Sequence, residues 1–194
     1  RFAVDLSDGV NPGLFLDMRH HRLRFAEEMK GRRLLNLFAY TGSFGVHSLL
    51  AGAANAIQVD YSQKILDRAR LNLRINGFRA DRKELLRWEA REYLQFAEKK
   101  RFRFDAIVLD PPTFAQQKGK SFRVVQALPQ MLFSSMKLLE RDGRLLVGTN
   151  CSSLSIQQLQ RLIEESALQT GRSLRLLFSG GQDCDFPLNR GAKE

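Results

Sequence analysis

Short apolar runs bounded by turn-forming residues recur along the chain: "LLNLFAY" (34–40), "AIQVDY" (56–61), "ELLRW" (84–88), "FDAIVLD" (104–110), "RLLVGTN" (144–150) and "SLRLLFSG" (173–180). Their length and flanks predict strands. Between them the apolar positions change to helical spacing, in "GSFGVHSLLAG", "SQKILDRARLNLRING", "AREYLQFAEKK", a long amphipathic run over about 122–139, and "SIQQLQRLIEESALQTG". Boundary residues agree: Ser62 is placed to cap one helix with Gly77 past its end, and Ser155 with Gln158 forms a capping box closed by Gly171. Strand and helix alternate almost throughout, which calls for an α/β fold, a doubly wound, mostly parallel sheet with helices on both faces. Such sheets bind ligands at the carboxyl ends of their strands.

The first strand runs into "TGSFG", so Gly42 and Gly45 fall in the first strand-to-helix turn, where missing side chains let backbone approach a ligand closely. The pattern is not GxGxxG, which argues against a dinucleotide pyrophosphate loop. Asp60 ends the second strand, where a carboxylate can accept from both hydroxyls of a ribose. Glu89 ends the third, placed to accept from an exocyclic amino group, and Trp88 or Tyr61 could pack on a purine. Any one acid reads as a solvated turn residue; acids on successive strand ends together predict a nucleoside-type cofactor.

Composition adds a partner class. The formal net charge is +10, and basic residues gathered on one face would attract an anionic polymer, nucleic acid first. Cys151 and Cys184 are too few for a disulfide framework and lack metal-ligand spacing, which fits a reducing cytoplasm and no bound metal. No apolar run reaches the roughly 18 residues of a membrane helix, and the N-terminus lacks a signal-peptide layout. Both ends stop without a clear boundary.

Together, "GLFLDMRHHR", "NLFAYTGSFGV", "VDYSQKILDRARLNLRING", "FDAIVLDPPTFA" and "QDCDFP" resemble the Rossmann-like class I S-adenosylmethionine-dependent methyltransferases. More narrowly, they resemble the large-subunit ribosomal RNA methyltransferases of the 5-methylcytosine and 7-methylguanine types. The resemblance covers about 13–187 and divides the chain into a lead-in segment, 1–33, carrying the LDMR motif, and a methyltransferase domain, 34–194. It implies S-adenosyl-L-methionine as cofactor, with Tyr40, Thr41, Gly42 and Phe44 around its methionine part, Asp60 on the ribose and Glu89 on the adenine. Phe38, Tyr61, Ala90 and Asp110 are the further cofactor-binding residues it implies, Asp110 beside the transferable methyl. Arg19 lies near the cofactor by the same resemblance, although Met18 stands where the family tends to have Gln. Full-length relatives carry an N-terminal RNA-binding domain and a last antiparallel strand, so a trimmed domain with that strand missing is expected.

The target side is expected at Asp110-Pro111-Pro112, whose prolines make a rigid edge beside the methyl, with Phe114 available to stack a flipped base. Methylation at carbon 5 of cytosine needs a thiolate to add at carbon 6, a task for Cys151 with Asp110 on the base edge. Ungapped alignment instead puts the cytosine enzymes' cysteine opposite Asn150, and guanine-type relatives carry asparagines there without a nucleophile. Cys151 is therefore either the nucleophile or an idle thiol, and Cys184 is expected to be idle. "KKRFRF" (99–104) and "QQKGKSFR" (116–123) are the candidate RNA-phosphate contacts, the second preferred, with His20 and His21 as bystanders. The leading expectation is ribosomal RNA base methylation, 5-methylcytosine first and another base position second. A small-molecule or protein methyltransferase and a non-catalytic cofactor-binding RNA module are the rivals.

Overall fold

The computed structural model describes residues 1–9, 11–79, 81–117 and 120–181, with the side chains of 114–123 outside the description. A parallel sheet runs β3 (Leu85–Arg87), β2 (Asn55–Asp60), β1 (Arg33–Leu37), β4 (Phe104–Leu109), β7 (Leu139–Val147), in that spatial order. An antiparallel hairpin, β5 (Phe114–Gln117) with β6 (Lys120–Arg123), follows β4. The helices are α1 (Arg19–Glu27), α2 (Ser43–Leu50), α3 (Gln63–Ile75), α4 (Ala90–Lys99), α5 (Val124–Leu138) and α6 (Ile156–Gln169).

Period-two alternation in strands buried on both faces sends successive side chains to opposite layers. Leu35, Leu37, Ile107 and Leu109 meet α4, α5 and the apolar stripe of α6. Leu34, Ala106 and Val108 meet Phe25 and Met29 of the α1 region and Phe44 of α2. Beyond them, Val46 of α2 packs with Leu66, Ala69 and Leu73 of α3. The expected doubly wound architecture is therefore present, with α1, α2 and α3 on one face and α4, α5 and α6 on the other.

The local start and stop signals work as expected. Ser62 Oγ accepts from the Ile65 amide, Ser155 and Gln158 close a capping box, and Gly77 and Gly171 take left-handed φ values of 86° and 66° where α3 and α6 end. None of the described helices is long and apolar enough to cross a membrane.

The expected strand at 173–180 is not one: among the described residues it joins no ladder. Its alternation is strand-like, but a strand exists only where a neighbour takes its backbone groups. Here the Leu177 carbonyl accepts from Arg24, and His21 Nε2 lies 2.9 Å from the Gly181 carbonyl. Arg24 also lies over the Phe178 ring, at 5.0 Å. Side chains of α1 thus take the place of a strand partner. β7 also begins earlier than expected, at Leu139, and absorbs a register irregularity opposite 104–106. Cys184 and the "QDCDFP" segment lie outside the described residues.

Candidate functional site

The strand order brings the carboxyl ends of β3, β2, β1 and β4 side by side, about 14 Å from first to last at the usual strand spacing. Glu89, Asp60, the turn at 38–42 and Asp110 follow those four ends, so the acids and the glycine turn share one edge of the sheet.

The turn is conformationally tight. Phe38 and Tyr40 adopt φ of 55° and 50°, unusual for bulky residues, and Gly42, at φ 78°, leads into α2. The close approach made by the glycines is internal: a Cβ on Gly42 would lie 2.7 Å from Gln58 Oε1, and one on Gly45 2.6 Å from Gln58 Cδ. Gln58 is buried in β2 and accepts from Asn36 Nδ2 at 3.3 Å. The glycines are needed first so that α2 can settle over this polar pair.

Asp60 holds the turn. Its Oδ2 accepts from the Tyr40 amide at 3.0 Å and its Oδ1 from the Ser62 amide at 2.9 Å. Burial pushes its pKa above the usual carboxylate value, against the lowering effect of the Ser62, Tyr40 and Tyr61 amides. Each oxygen keeps a second lone pair, so the hydroxyls of a ribose remain possible donors.

Glu89 is 6% exposed; its carboxylate caps α4 through the Glu92 amide at 3.0 Å and pairs with Arg91 Nε at 3.1 Å. Ala90 is buried beside it. Trp88 leans onto Phe96 (4.7 Å) and Tyr93 (5.5 Å), which commits it to α4 and leaves half-buried Tyr61 as the ring at this end.

Two residues expected around a methionine group have structural tasks. Thr41 is fully buried, its hydroxyl donating to the Gly13 carbonyl at 2.6 Å and its carbonyl accepting from Asn72. Phe44 is in the core, edge-on to Phe25. Tyr40 accepts from the Gly13 amide through its hydroxyl, at 3.0 Å, and packs on Phe15 at 4.9 Å. The lead-in segment therefore passes directly over the first turn.

At the other end, Asp110 is half-buried, and its pKa is pushed up to about 6 by burial first and by Asp17 second, opposed by Arg22 and His21. Its Oδ1 lies against Gly148, where a Cβ would come within 2.5 Å, with the Met18 methyl alongside. Pro111 is buried and Pro112 half-buried. Thr113 Oγ1 donates to Asn150 Oδ1 at 2.6 Å, joining the Asp-Pro-Pro loop to the segment after β7. Phe114 opens β5, and its side chain lies outside the description. The hairpin of β5 and β6 was not foreseen.

Cys151 is 7% exposed, packs in the core cluster shared with α4, α5 and α6, and has its Sγ 3.2 Å from Ser153 Oγ. Exposed Asn150 faces the Asp-Pro-Pro loop through Thr113. "KKRFRF" is displaced: it runs into the start of β4, and the length of that strand, about 20 Å, separates it from Asp110. "QQKGKSFR" adjoins the loop, its side chains undescribed.

Sequence reasoning passed over Asp17 and Arg22. Arg22 falls on the buried stripe of α1 with Phe25, Ala26 and Met29, at i, i+3, i+4 and i+7. An arginine there was the available signal, since arginine is rarely buried without a partner. Arg19 opens the same helix, half-buried. His21, expected to be a bystander, contacts Gly181 and stacks on Phe178 at 6.0 Å.

A five-stranded parallel sheet in this order, with acids at consecutive strand tips, defines the Rossmann-like class I methyltransferase fold. A family model for S-adenosylmethionine-dependent methyltransferase matches residues 1–188, and the chain belongs to that family. It is 35% identical to ribosomal RNA large subunit methyltransferase I of Aeromonas hydrophila, over 97% of this chain and 47% of that protein. It is 38% identical to ribosomal RNA large subunit methyltransferase K of Neisseria meningitidis, over 82% of this chain and 46% of that protein. The chain thus spans about half the length of these curated relatives. Among solved structures, SMU.776, complexed with SAH, superposes with a TM-score of 0.81 at 24% identity, over 91% of this chain and 46% of that one, a likeness of fold.

Proposed function

We propose that this chain is the catalytic part of an S-adenosylmethionine-dependent methyltransferase that modifies a base of large-subunit ribosomal RNA. The observation that carries the reading is the single edge shared by the turn at 38–42, Asp60, Glu89 and the Asp110-Pro111-Pro112 loop, in a chain of this family. The relatives named for ribosomal RNA and the net charge of +10 support the substrate class.

The residues fit the cofactor. Half-buried Asp60 and Tyr61 suit a ribose, and orphaned polar atoms near Asp110 suit a charged group. When bound, the cofactor supplies an activated methyl on a sulfonium. The chain's own contribution is positioning: the two prolines hold the loop edge, the Thr113–Asn150 bond fixes it against the segment after β7, and Asp110 presents a carboxylate to the base edge.

Burial of Cys151 favours one acceptor over another. Carbon 5 of cytosine requires a thiolate, whereas a ring nitrogen such as guanine N7 carries its own lone pair. We therefore favour the nitrogen acceptor, with 5-methylcytosine as the alternative. Mass spectrometry of ribosomal RNA from cells with and without the gene tests the function, and loss of no methylated base would refute it. Cys151→Ala in the whole protein should leave methylation intact; abolished methylation, with the fold retained, would restore the cytosine mechanism. Activity on a small acceptor without salt dependence would instead favour the small-molecule rival.

A further inference from the structure

The sheet has a second edge, formed by the amino ends of its strands, where Arg33, Asn55 and Phe104 open β1, β2 and β4. A cleft of about 420 Å³ lies there between Arg33, Asn55 and the segment Arg101–Phe104. A second, of about 380 Å³, is lined by Arg103, Lys137 and Arg172. Arg103 lines both, so the two clefts adjoin across one side chain.

Positive charge is in excess at this edge. Arg33 and Lys137 are held by Asp105, Glu140 and Glu98, and Arg172 donates to the Leu139 and Glu140 carbonyls. Lys99, Arg101 and Arg103 are exposed and form no ion pair with any described residue.

The backbone at Arg101 singles this loop out. Helices α2, α3, α4 and α6 end alike, with a late amide bonding back to the carbonyl five residues earlier: Ala53 to Ser48, Phe78 to Leu73, Phe102 to Ala97 and Arg172 to Ala167. The residue before each of those amides has a left-handed φ, and after three of the helices it is glycine, Gly52, Gly77 and Gly171. After α4 it is Arg101, at φ 57°. A side chain is disfavoured in that conformation, and the Arg101 side chain makes no hydrogen bond or ion pair with the described residues to offset the cost. The helix dipole accounts for Lys99 and Lys100 at the end of α4, and with those two in place it gives no reason for a third cation at the glycine position. Next to Arg101, Phe102 is 41% exposed and edge-on to Phe96 at 5.9 Å. Cations on both sides of an exposed ring suit a nucleic-acid strand, with phosphates on the guanidiniums and an unpaired base on the ring.

We propose that the 99–103 loop and the two clefts beside it bind the phosphate backbone of the RNA substrate, at the opposite end of β4 from the acceptor site. The assignment rests on the RNA reading above and extends it. About 20 Å of β4 separates the two places, so one RNA reaches both only if it runs on for at least about six nucleotides at duplex rise. The surface therefore favours a long RNA over a short oligonucleotide.

Filter binding of the whole protein to unmethylated large-subunit ribosomal RNA over a salt series tests this. Arg101→Gly and Arg103→Gln should each weaken binding about 3- to 10-fold at about 0.1 M salt and reduce the slope of log affinity against log salt by about 0.7–0.9, leaving S-adenosylhomocysteine within about twofold. Arg101→Gly should also melt about 2–4 °C higher, because glycine suits the turn. A lower melting temperature would make Arg101 a structural residue and overturn the argument drawn from it. An unchanged salt slope in both variants would overturn the assignment, and an unchanged slope with lost affinity for polyglutamate would give the surface to an acidic protein instead. Wild-type protein that bound S-adenosylhomocysteine but had no salt-dependent affinity for the RNA would strike down the substrate reading itself, and the assignment with it.

Discussion

The two ends of this strand edge hold their carboxylates with different partners. At the β2 and β3 tips, Asp60 and Glu89 accept from backbone amides at 2.9 to 3.0 Å, and in doing so they build the turn and the start of α4. At the β4 tip, burial and the Asp17 charge act on Asp110, and the opposing influences come from side chains, Arg22 and His21. Burial raises both Asp60 and Asp110, but backbone amides oppose it at Asp60 and only side-chain charges oppose it at Asp110. Strongly perturbed groups of the second kind mark where chemistry is done more often than where structure is held.

The contrast is most open to attack at Asp110. In the folded chain its pKa is about 6, against an ordinary value of 3.8. The folded state therefore holds the proton more tightly, and stability falls as pH rises from about 4 to about 6, then stays low. Asp110→Asn should cut methyl transfer by roughly two to four orders of magnitude, yet raise stability at pH 7 by something on the order of 1–3 kcal/mol. The gain should vanish near pH 4. Urea titrations across that range, beside a radiolabelled transfer assay, check both halves. Destabilisation at pH 7 would erase the distinction between the two ends.

Asp60→Ala should behave oppositely. Removing the acceptor leaves the Tyr40 and Ser62 amides without it, which should cost about 1–3 kcal/mol as well as weakening cofactor binding. A stability unchanged in denaturant titration would mean that Asp60 is not holding the turn.

The turn itself offers a third test. Gly45→Ala brings a Cβ to 2.6 Å from Gln58 Cδ, and overpacking of that kind costs roughly 1–3 kcal/mol. Adding Gln58→Ala should restore part of the loss, and a double-mutant cycle measures the coupling. Additive losses would show that the glycine serves something other than this contact. The smallest effect belongs away from the strand tips: Ser155→Ala opens the capping box of α6 and should cost about 1 kcal/mol, with transfer activity unchanged.

Legibility in the chain followed the range of the forces involved. β1, β2 and β4, and the helices α3 and α6 with their caps, could be read because apolar period, cap and glycine stop act within a few residues. The acids at the strand tips were legible for the same reason, since each terminates an apolar run. α1 was missed because its apolar stripe is short and contains Arg22, which an apolar template skips. The side chains of Asn150 and Cys151 could not be assigned from sequence, as the choice turns on one residue of register.

The order of apolar and polar residues by itself determined an α/β sheet with helices on both faces and a row of acids at the carboxyl ends of its strands, because period and capping are local properties. Only the tertiary structure decided that 173–180 forms no strand, that the glycines accommodate Gln58, that Cys151 faces the core and that "KKRFRF" lies at the far end of β4. Each of these depends on which neighbour takes a backbone group or fills a volume, and that neighbour lies far away in the chain.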